Sequence, residues 1–240
     1  MTVLFATSTK RDGSMGLAND SGKREGMANR VRFFRTRGIK PSEVVLPRQV
    51  HGARIAIIQK IPRRGFVPST DALVTNQPNT FLAILSADCF PVFFYDEGAG
   101  VVGITHAGWR GVVKGIIPGV VRILQRRYRL HAASINVAIG PGIQKCHYEV
   151  WPKKGHRGMA AYARVHEHFL QKRGRRTFAD LEGIIRGQLR QEGILSRNIY
   201  HVGECTYHMP TKYFSYRRDA NAAHPRGFGN MISVIGIKKK

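Results

Sequence analysis

Apolar residues in the middle of the chain fall into short runs at 80–86, 91–95, 101–105 and 135–139, set off by turn-forming residues. The runs are rich in Val, Ile and Phe, which predicts strands covered on both faces rather than strands with one wet side. Residues 97–100 read as a tight turn between the second and third of them. Segment 109–127 has another rhythm. Val112, Val113, Ile116, Ile117, Val120, Val121 and Leu124 recur at helical spacing, which predicts a helix, with Pro118 marking a kink or a late start. Further along, 159–172 and 178–192 carry amphipathic spacing; the second is expected to open at Thr177, with Asp180 three residues on, and to close at Gly193. The last apolar run, 231–237, predicts a strand returning to the core.

Strands and helices mix throughout, and neither a repeat nor a low-complexity linker divides them. The expectation is one layered α/β domain (mixed α+β layers) over residues 1–240, with strand order undecided by sequence. At 240 residues and 42% hydrophobic content the chain can bury a substantial core. No run approaches the roughly 18 apolar residues a membrane span requires. The opening MTVLFATSTKRDG lacks a charged segment followed by a long apolar stretch, so a cytoplasmic protein without membrane attachment is expected. Three cysteines, Cys89, Cys146 and Cys205, have no framework spacing, which leaves free thiols or metal ligation in a reducing compartment.

The formal net charge of +24 is extreme for a chain of 240 residues. Such a field attracts polyanions in a salt-dependent way, and a basic nucleic-acid-binding protein becomes the competing, non-catalytic reading. The basic residues are scattered, as at Arg63 and Arg64, Arg126 and Arg127, Lys153 and Lys154, and Lys238 to Lys240. They form no stripe with interleaved aromatics, so any nucleic-acid binding is expected to be non-specific.

Candidate chemistry gathers at strand ends. RQVHG (48–52), SADCFPV (86–92), THAGWRG (105–111) and IGPGIQKCHYEV (139–150) each set reactive side chains beside Gly or Pro where a strand gives way to a loop. Cys89 and His106 are separated by two predicted strands and one tight turn, which brings both to the same edge of a sheet. With His51 they make two imidazoles and a thiolate. That set suits a borderline-soft ion, and three protein ligands leave a fourth position open, as in catalytic zinc sites. A Cys–His hydrolase, with Cys89 as nucleophile and a histidine as base, uses the same residues, and spacing does not separate the two readings. The zinc deaminase signature of His-x-Glu with Pro-Cys-x-x-Cys is absent.

The run DALVTNQPNTFLAILSADCFPVFFYD, followed by VVGITHAGWRG and AIGPGIQKCHYEV, closely resembles the YfiH-like family of bacterial proteins. RQVHG and CTYHMPTKYFSYRRD match as well, and STKRDGSMG matches weakly, so the resemblance spans nearly the whole chain. Asp12-Gly13 replaces the family's glycine pair, Lys145-Cys146-His147 stands where a Cys-Cys-Tyr type segment is common, and the residues after Arg-Arg-Asp lack the usual glycine-containing turn. The resemblance implies a layered mixed α/β fold with sheets covered by helices, and a catalytic Zn2+ held by His51, Cys89 and His106. It also implies phosphorolysis of adenosine, inosine and methylthioadenosine, with adenosine deamination as a side activity. The same family is described as a copper-dependent polyphenol oxidase, laccase-like, and as a peptidoglycan-editing factor, which makes a precursor amidase a further option.

Given that resemblance, the small-molecule partners are a nucleoside and phosphate. Arg48, Arg110 and Arg217 become candidate phosphate holders, because a guanidinium fork pairs with phosphate oxygens; the alternative for them is a surface or structural salt bridge. Arg48 and Arg110 join Cys89 and His106 as candidate catalytic residues. Asp88 is a candidate to orient a ligating imidazole or to contact substrate, with turn capping as its structural alternative. Trp109 is a candidate to stack on a purine, with core packing as the alternative. Cys146 and Cys205 are expected to be buried thiols. Two histidines and one thiolate do not build a multicopper cluster, although a single Cu2+ fits the same donors as zinc.

Overall fold

The computed structural model of the chain describes residues 1–16, 22–150, 167–220 and 228–239. Among them, the strands in chain order are β1 (Thr2–Thr7), β2 (Val44–Pro47), β3 (Ile55–Ile57), β4 (Phe66–Val67), β5 (Ala72–Thr75) and β6 (Phe81–Ser86). They continue with β7 (Phe90–Asp96), β8 (Val101–Ala107), β9 (Asn136–Ile139), β10 (Leu170–Arg173), β11 (Arg176–Ala179), β12 (Ile199–His201) and β13 (Met231–Lys238). The helices are α1 (Gly22–Arg35), α2 (Trp109–Val113), α3 (Ile116–Tyr128), α4 (Leu181–Gln191) and the single turn α5 (Tyr216–Asp219).

Two mixed sheets carry the fold. One runs β1-β13-β6-β2-β4 and the other β12-β9-β7-β8-β5-β3, while β10 and β11 form a separate hairpin. Alternation along each strand explains the uninterrupted apolar runs. In β6, Phe81 and Ala83 pack with Phe33 and Phe34 of α1. The intervening Leu82 and Ile84 join Phe93 of β7 and Ile104 of β8 in the layer between the sheets. On the far side Phe90, Val92 and Phe94 of β7 meet Ile117, Val120 and Leu124 of α3 and Ile185 of α4. The layers are therefore helix, sheet, sheet, helix, and the central strands β6, β7, β8 and β13 are covered on both faces, while the edge strands β1, β3 and β12 keep exposed positions. Each large apolar side chain buried this way contributes about 1.5–3 kcal/mol, which selects continuous over alternating hydrophobicity in the central strands.

The strands expected at 80–86, 91–95, 101–105, 135–139 and 231–237 correspond to β6, β7, β8, β9 and β13. The expected helix over 109–127 is two helices. Gly115 adopts φ +81°, a left-handed conformation that breaks the first, and Pro118 sits in the opening turn of α3, where its missing N–H leaves no bond unmade. The helix expected over 178–192 begins later. Thr177 and Phe178 belong to β11, paired with β10 around Gly174, and Asp180 caps α4 by accepting from the Gly183 N–H at 2.7 Å. Gly193 closes that helix as expected, at φ +88°. Of the helix expected over 159–172, residues 159–166 lie outside the described residues; 167–169 form a 3-10 turn and 170–172 lie in β10. Pairing with β11 outweighs the amphipathic spacing there.

Two connections place the site. Residues 87–89 carry the chain from β6 in one sheet to β7 in the other, and 48–54 do the same from β2 to β3. Both crossings lie at one end of the sandwich, tied by the Gln49 side chain, whose Nε2 donates to Leu85 O and whose Oε1 accepts from Leu85 N, each at 2.8 Å.

Candidate metal centre

At that end His51, Cys89 and His106 converge, with one ligand atom from each lying within 4.8 Å of the others. His106 stands one residue from the end of β8, opposite Pro91 of β7, so hairpin register sets it beside Cys89. His51 arrives from the other crossing, its ring centred 4.7 Å from that of His106 and nearly perpendicular to it. Both crossings carry left-handed residues, His51 at φ 55° and Asp88 at φ 86°. Such conformations cost about 1–3 kcal/mol in a non-glycine residue and persist where surrounding bonds fix them.

At His51 those bonds come from Asp71. It is fully buried just before β5, and its Oδ1 lies 2.9 Å from His106 Nδ1. The same carboxylate accepts from the backbone N–H groups of His51 at 2.9 Å, Gly52 at 2.8 Å and Val50 at 3.2 Å. One carboxylate thus orients one imidazole and shapes the loop that presents the other. The bond to Nδ1 leaves Nε2 of His106 as the nitrogen open to an ion. From the sequence Asp88 was a candidate for orienting an imidazole, for substrate contact or for turn capping, and Asp71 was passed over. The available signal was an acidic residue flush against an all-buried strand. Asp88 instead receives the Thr206 hydroxyl and the Arg217 backbone N–H, each at 2.7 Å, and its own carbonyl accepts from Ile143 N. It borders the cavity as a strut across the loops, and burial holds its carboxyl above the ordinary carboxylate range.

Electrostatics favour charge separation. Burial works against ionisation of the Cys89 thiol, but the facing His106 and His51 imidazoles outweigh it and bring the thiol down to about 6. Burial also opposes charge on His106, yet Cys89 and Asp71 push its ring up to about 9. A thiolate formed at neutral pH, two imidazoles and an outer-shell carboxylate make a donor set that a zinc-type ion fits. Gly108 keeps the space clear: a Cβ there would lie 2.9 Å from Cys89 Sγ and 3.3 Å from His51 Cδ2. In metal-stripped protein, alkylation of Cys89 by iodoacetamide is expected to rise with pH about a midpoint near 6. At pH 7 it should outpace Cys146, whose thiol burial and Cys205 push up to about 11. Mass spectrometry of time points across pH checks this.

The three donors open onto a cavity of about 960 Å³ whose wall includes Arg48, Trp109, Arg110, Tyr148 and Arg217. Arg48 and Arg110 are exposed at its rim, and the Arg110 guanidinium lies 4.9 Å from the Trp109 ring centroid. Trp109, the first residue of α2, is half-buried and packs against the core on one side while bordering the cavity on the other. Arg217 is partly committed: its Nη1 donates to Glu149 O at 2.8 Å, and its guanidinium lies 5.5 Å from the Tyr148 ring centroid. All eight residues singled out from the sequence therefore border one cavity. Cys146 and Cys205 form a separate group with His147. Cys205 is buried as expected and Cys146 is half-buried.

A helix-flanked double sheet that brings one thiolate and two imidazoles to the wall of an arginine-rimmed cavity defines a protein with a three-donor metal-type centre open to small molecules. The chain belongs to the family described as multi-copper polyphenol oxidoreductase laccase, which matches residues 7–238. Among the described residues, potential ligands gather as two groups of three, neither rich enough in imidazole for a multicopper cluster. Relatives in the family carry a different description. The chain is 35% identical over 216 residues to a protein of Deinococcus radiodurans named purine nucleoside phosphorylase, covering 88% of this chain and 77% of that one. It is 31% identical over 235 residues to the Geobacillus stearothermophilus protein named purine nucleoside phosphorylase YlmD, covering 95% of this chain and 84% of that one. Among solved structures, YfiH of Bacillus licheniformis, described as a hypothetical protein, superposes with TM-score 0.88 at 28% identity, over 98% of this chain and 93% of that one. The structure of YlmD from Geobacillus stearothermophilus gives 0.86 at 27% identity, over 99% and 92%. The mixed α/β fold is shared with both. No described helix is long and apolar enough to cross a membrane.

Proposed function

We propose that this chain is a single-domain, cytoplasmic, zinc-dependent purine nucleoside phosphorylase acting on adenosine, inosine and methylthioadenosine, with adenosine deamination as a side activity. One observation carries the reading: the His51–Cys89–His106 group opens into a cavity that also holds three arginines and an indole. The names of the relatives supply the substrate class.

His51, Cys89 and His106 hold the ion, which when bound supplies a Lewis acid able to polarise a substrate oxygen. Asp71 keeps the His106 ring oriented. Arg48, Arg110 and Arg217 frame the phosphate, with paired N–H groups matched to its oxygens. The face of Trp109 offers a platform for the purine, and Asp88 ties Thr206 and Arg217 into the cavity wall. Phosphate held beside the ribose C1′ as the base departs gains from the entropy already lost in binding. Arg48→Ala or Arg110→Ala is expected to raise the KM for phosphate by about 10- to 100-fold, since a charge-assisted bond is worth about 1.5–3 kcal/mol. The KM for adenosine should change little, and initial rates with each substrate varied in turn check the split.

One specific observation favours a second reading. Cys89, His106 and Asp71 stand in the order nucleophile, base and orienter, the arrangement of a cysteine hydrolase acting on an amide such as a peptidoglycan precursor. His51 separates the two, because a triad has no use for a second imidazole on the sulfur, whereas an ion has. Incubation with adenosine, with and without phosphate, decides. Phosphate-dependent release of adenine supports the phosphorylase. No product from metal-replete protein, with release from a muropeptide amide, supports the hydrolase; no product from either, with salt-sensitive DNA binding, leaves the basic nucleic-acid-binding protein.

A further inference from the structure

A second group of soft donors, Cys146, His147 and Cys205, lies outside the cavity lining, two of them between Ile143 and Tyr148, which do line it. His147 Nδ1 is 3.1 Å from Cys146 Sγ and 3.8 Å from Cys205 Sγ, and one ligand atom from each of the three residues lies within 4.8 Å of the others. The segments that carry them are fixed by the backbone. The parallel pairing of β9 with β12 continues past both strands as a bridge between Gly142 and Cys205. Thr206 N donates to Gly142 O at 3.1 Å, and Gln144 N points to Cys205 Sγ at 3.4 Å. A turn follows in which the N–H groups of His147 and Tyr148 both donate to Gln144 O, presenting Cys146 and His147 from adjacent positions. The Tyr207 ring stacks on His147, 4.4 Å away and tilted by 21°. Cys205 is buried, while Cys146 and His147 keep part of their surface in solvent, so an ion has a way in.

We propose that Cys146, His147 and Cys205 form a second metal site, for a thiophilic cation of the zinc type. Two sulfurs and an imidazole nitrogen from two pinned segments are the donors that structural zinc sites use, and a fourth position is available to water or to His208, whose exposed ring is centred 5.4 Å from that of His147. Binding displaces the thiol protons, and the two thiolates balance a divalent charge. An ion held there clamps the loop supplying Ile143 and Tyr148 to the cavity wall onto the segment whose Thr206 holds Asp88. No step of the phosphorolysis reading uses these residues, so the two proposals stand or fall separately.

Cobalt titration of the full chain, stripped of metal under anaerobic reducing conditions, tests it through thiolate-to-cobalt absorption. The unmodified protein should take up two equivalents. Cys89→Ala should lose one of them while keeping most of the sulfur band, and Cys146→Ser/Cys205→Ser should lose the other together with most of the band. Because Cys205 is buried, Cys146→Ser alone, at the half-buried position, serves where the double variant fails to fold, and it should also lose the second equivalent. The proposal is overturned if the unmodified protein binds a single equivalent that Cys89→Ala removes, if the sulfur band survives Cys146→Ser/Cys205→Ser or Cys146→Ser intact, or if the two sulfurs are joined as a disulfide in protein prepared under reduction.

Discussion

Cys89→Ala is expected to abolish phosphorolysis and to release the ion from its site, with a loss beyond the roughly 100-fold that disturbing an outer-shell partner causes. The reason is the donor set. Cys89 is the sulfur that faces both imidazoles, and its thiolate supplies the negative charge at the ion itself, since Asp71 is occupied with His106 Nδ1 and the loop amides. Removing it leaves two neutral nitrogens, a weak site for zinc. His106→Ala should do the same. His51→Ala is the informative partner: it should also abolish activity and metal binding if these residues are ligands, but leave amide cleavage if Cys89, His106 and Asp71 act as a triad. Metal content and nucleoside turnover, measured on the same preparations, separate these results.

Asp71→Asn has the second largest expected effect. The amide keeps the shape but loses the charge that faces His106, and it replaces one acceptor with a donor among three backbone N–H groups. Metal affinity should fall by about 10- to 100-fold, the range for an outer-shell partner. Asp71 and His106 are 0% and 3% exposed, so this is a buried pair, for which removing one member costs up to about 3–5 kcal/mol. The pH dependence has a definite sign. Burial alone would raise the Asp71 carboxyl, but the His106 ring and the Gly52 and Val50 amides outweigh it and hold it below the ordinary value. A group whose folded pKa is depressed contributes stability that is present above the unfolded value of about 3.9 and is lost as pH falls through the lower folded value. Metal-free protein should therefore lose stability on acidification more steeply than Asp71→Asn does, and denaturant midpoints across pH would record the difference.

The sequence made the strands and the ligands legible for different reasons. β6, β7, β8 and β13 are dry on both faces, so their composition alone marks them, and the Cys89–His106 contact follows from the hairpin that joins β7 to β8. His51 is harder to place by pattern, because its position depends on a crossing between two sheets and on a left-handed backbone held by Asp71. It entered the donor set from its place in RQVHG, a strand end beside Gly, and the family resemblance implied the same three ligands. Asp71 itself was missed because a carboxylate before a strand looks like a turn residue until its three amide partners and His106 are seen together. The helix expected over 178–192 started too early because β10–β11 pairing, a contact between neighbouring segments, overrode an amphipathic pattern that continues through Thr177 and Phe178. Cys146, His147 and Cys205 carried no joint signal: 58 positions separate His147 from Cys205, and only the bridge beyond β9 and β12 brings them together.

If His51, Cys89 and His106 bind one ion whose remaining face opens to the cavity, the ion is visible directly. Anomalous diffraction at the zinc edge from crystals of the metal-loaded protein tests this binding. The expected result is a peak about 2.3 Å from Cys89 Sγ and about 2.0–2.1 Å from one nitrogen of each of His51 and His106, with at least one coordination position not taken by protein. A density map with metal-loaded protein but no anomalous peak among these three side chains would contradict it.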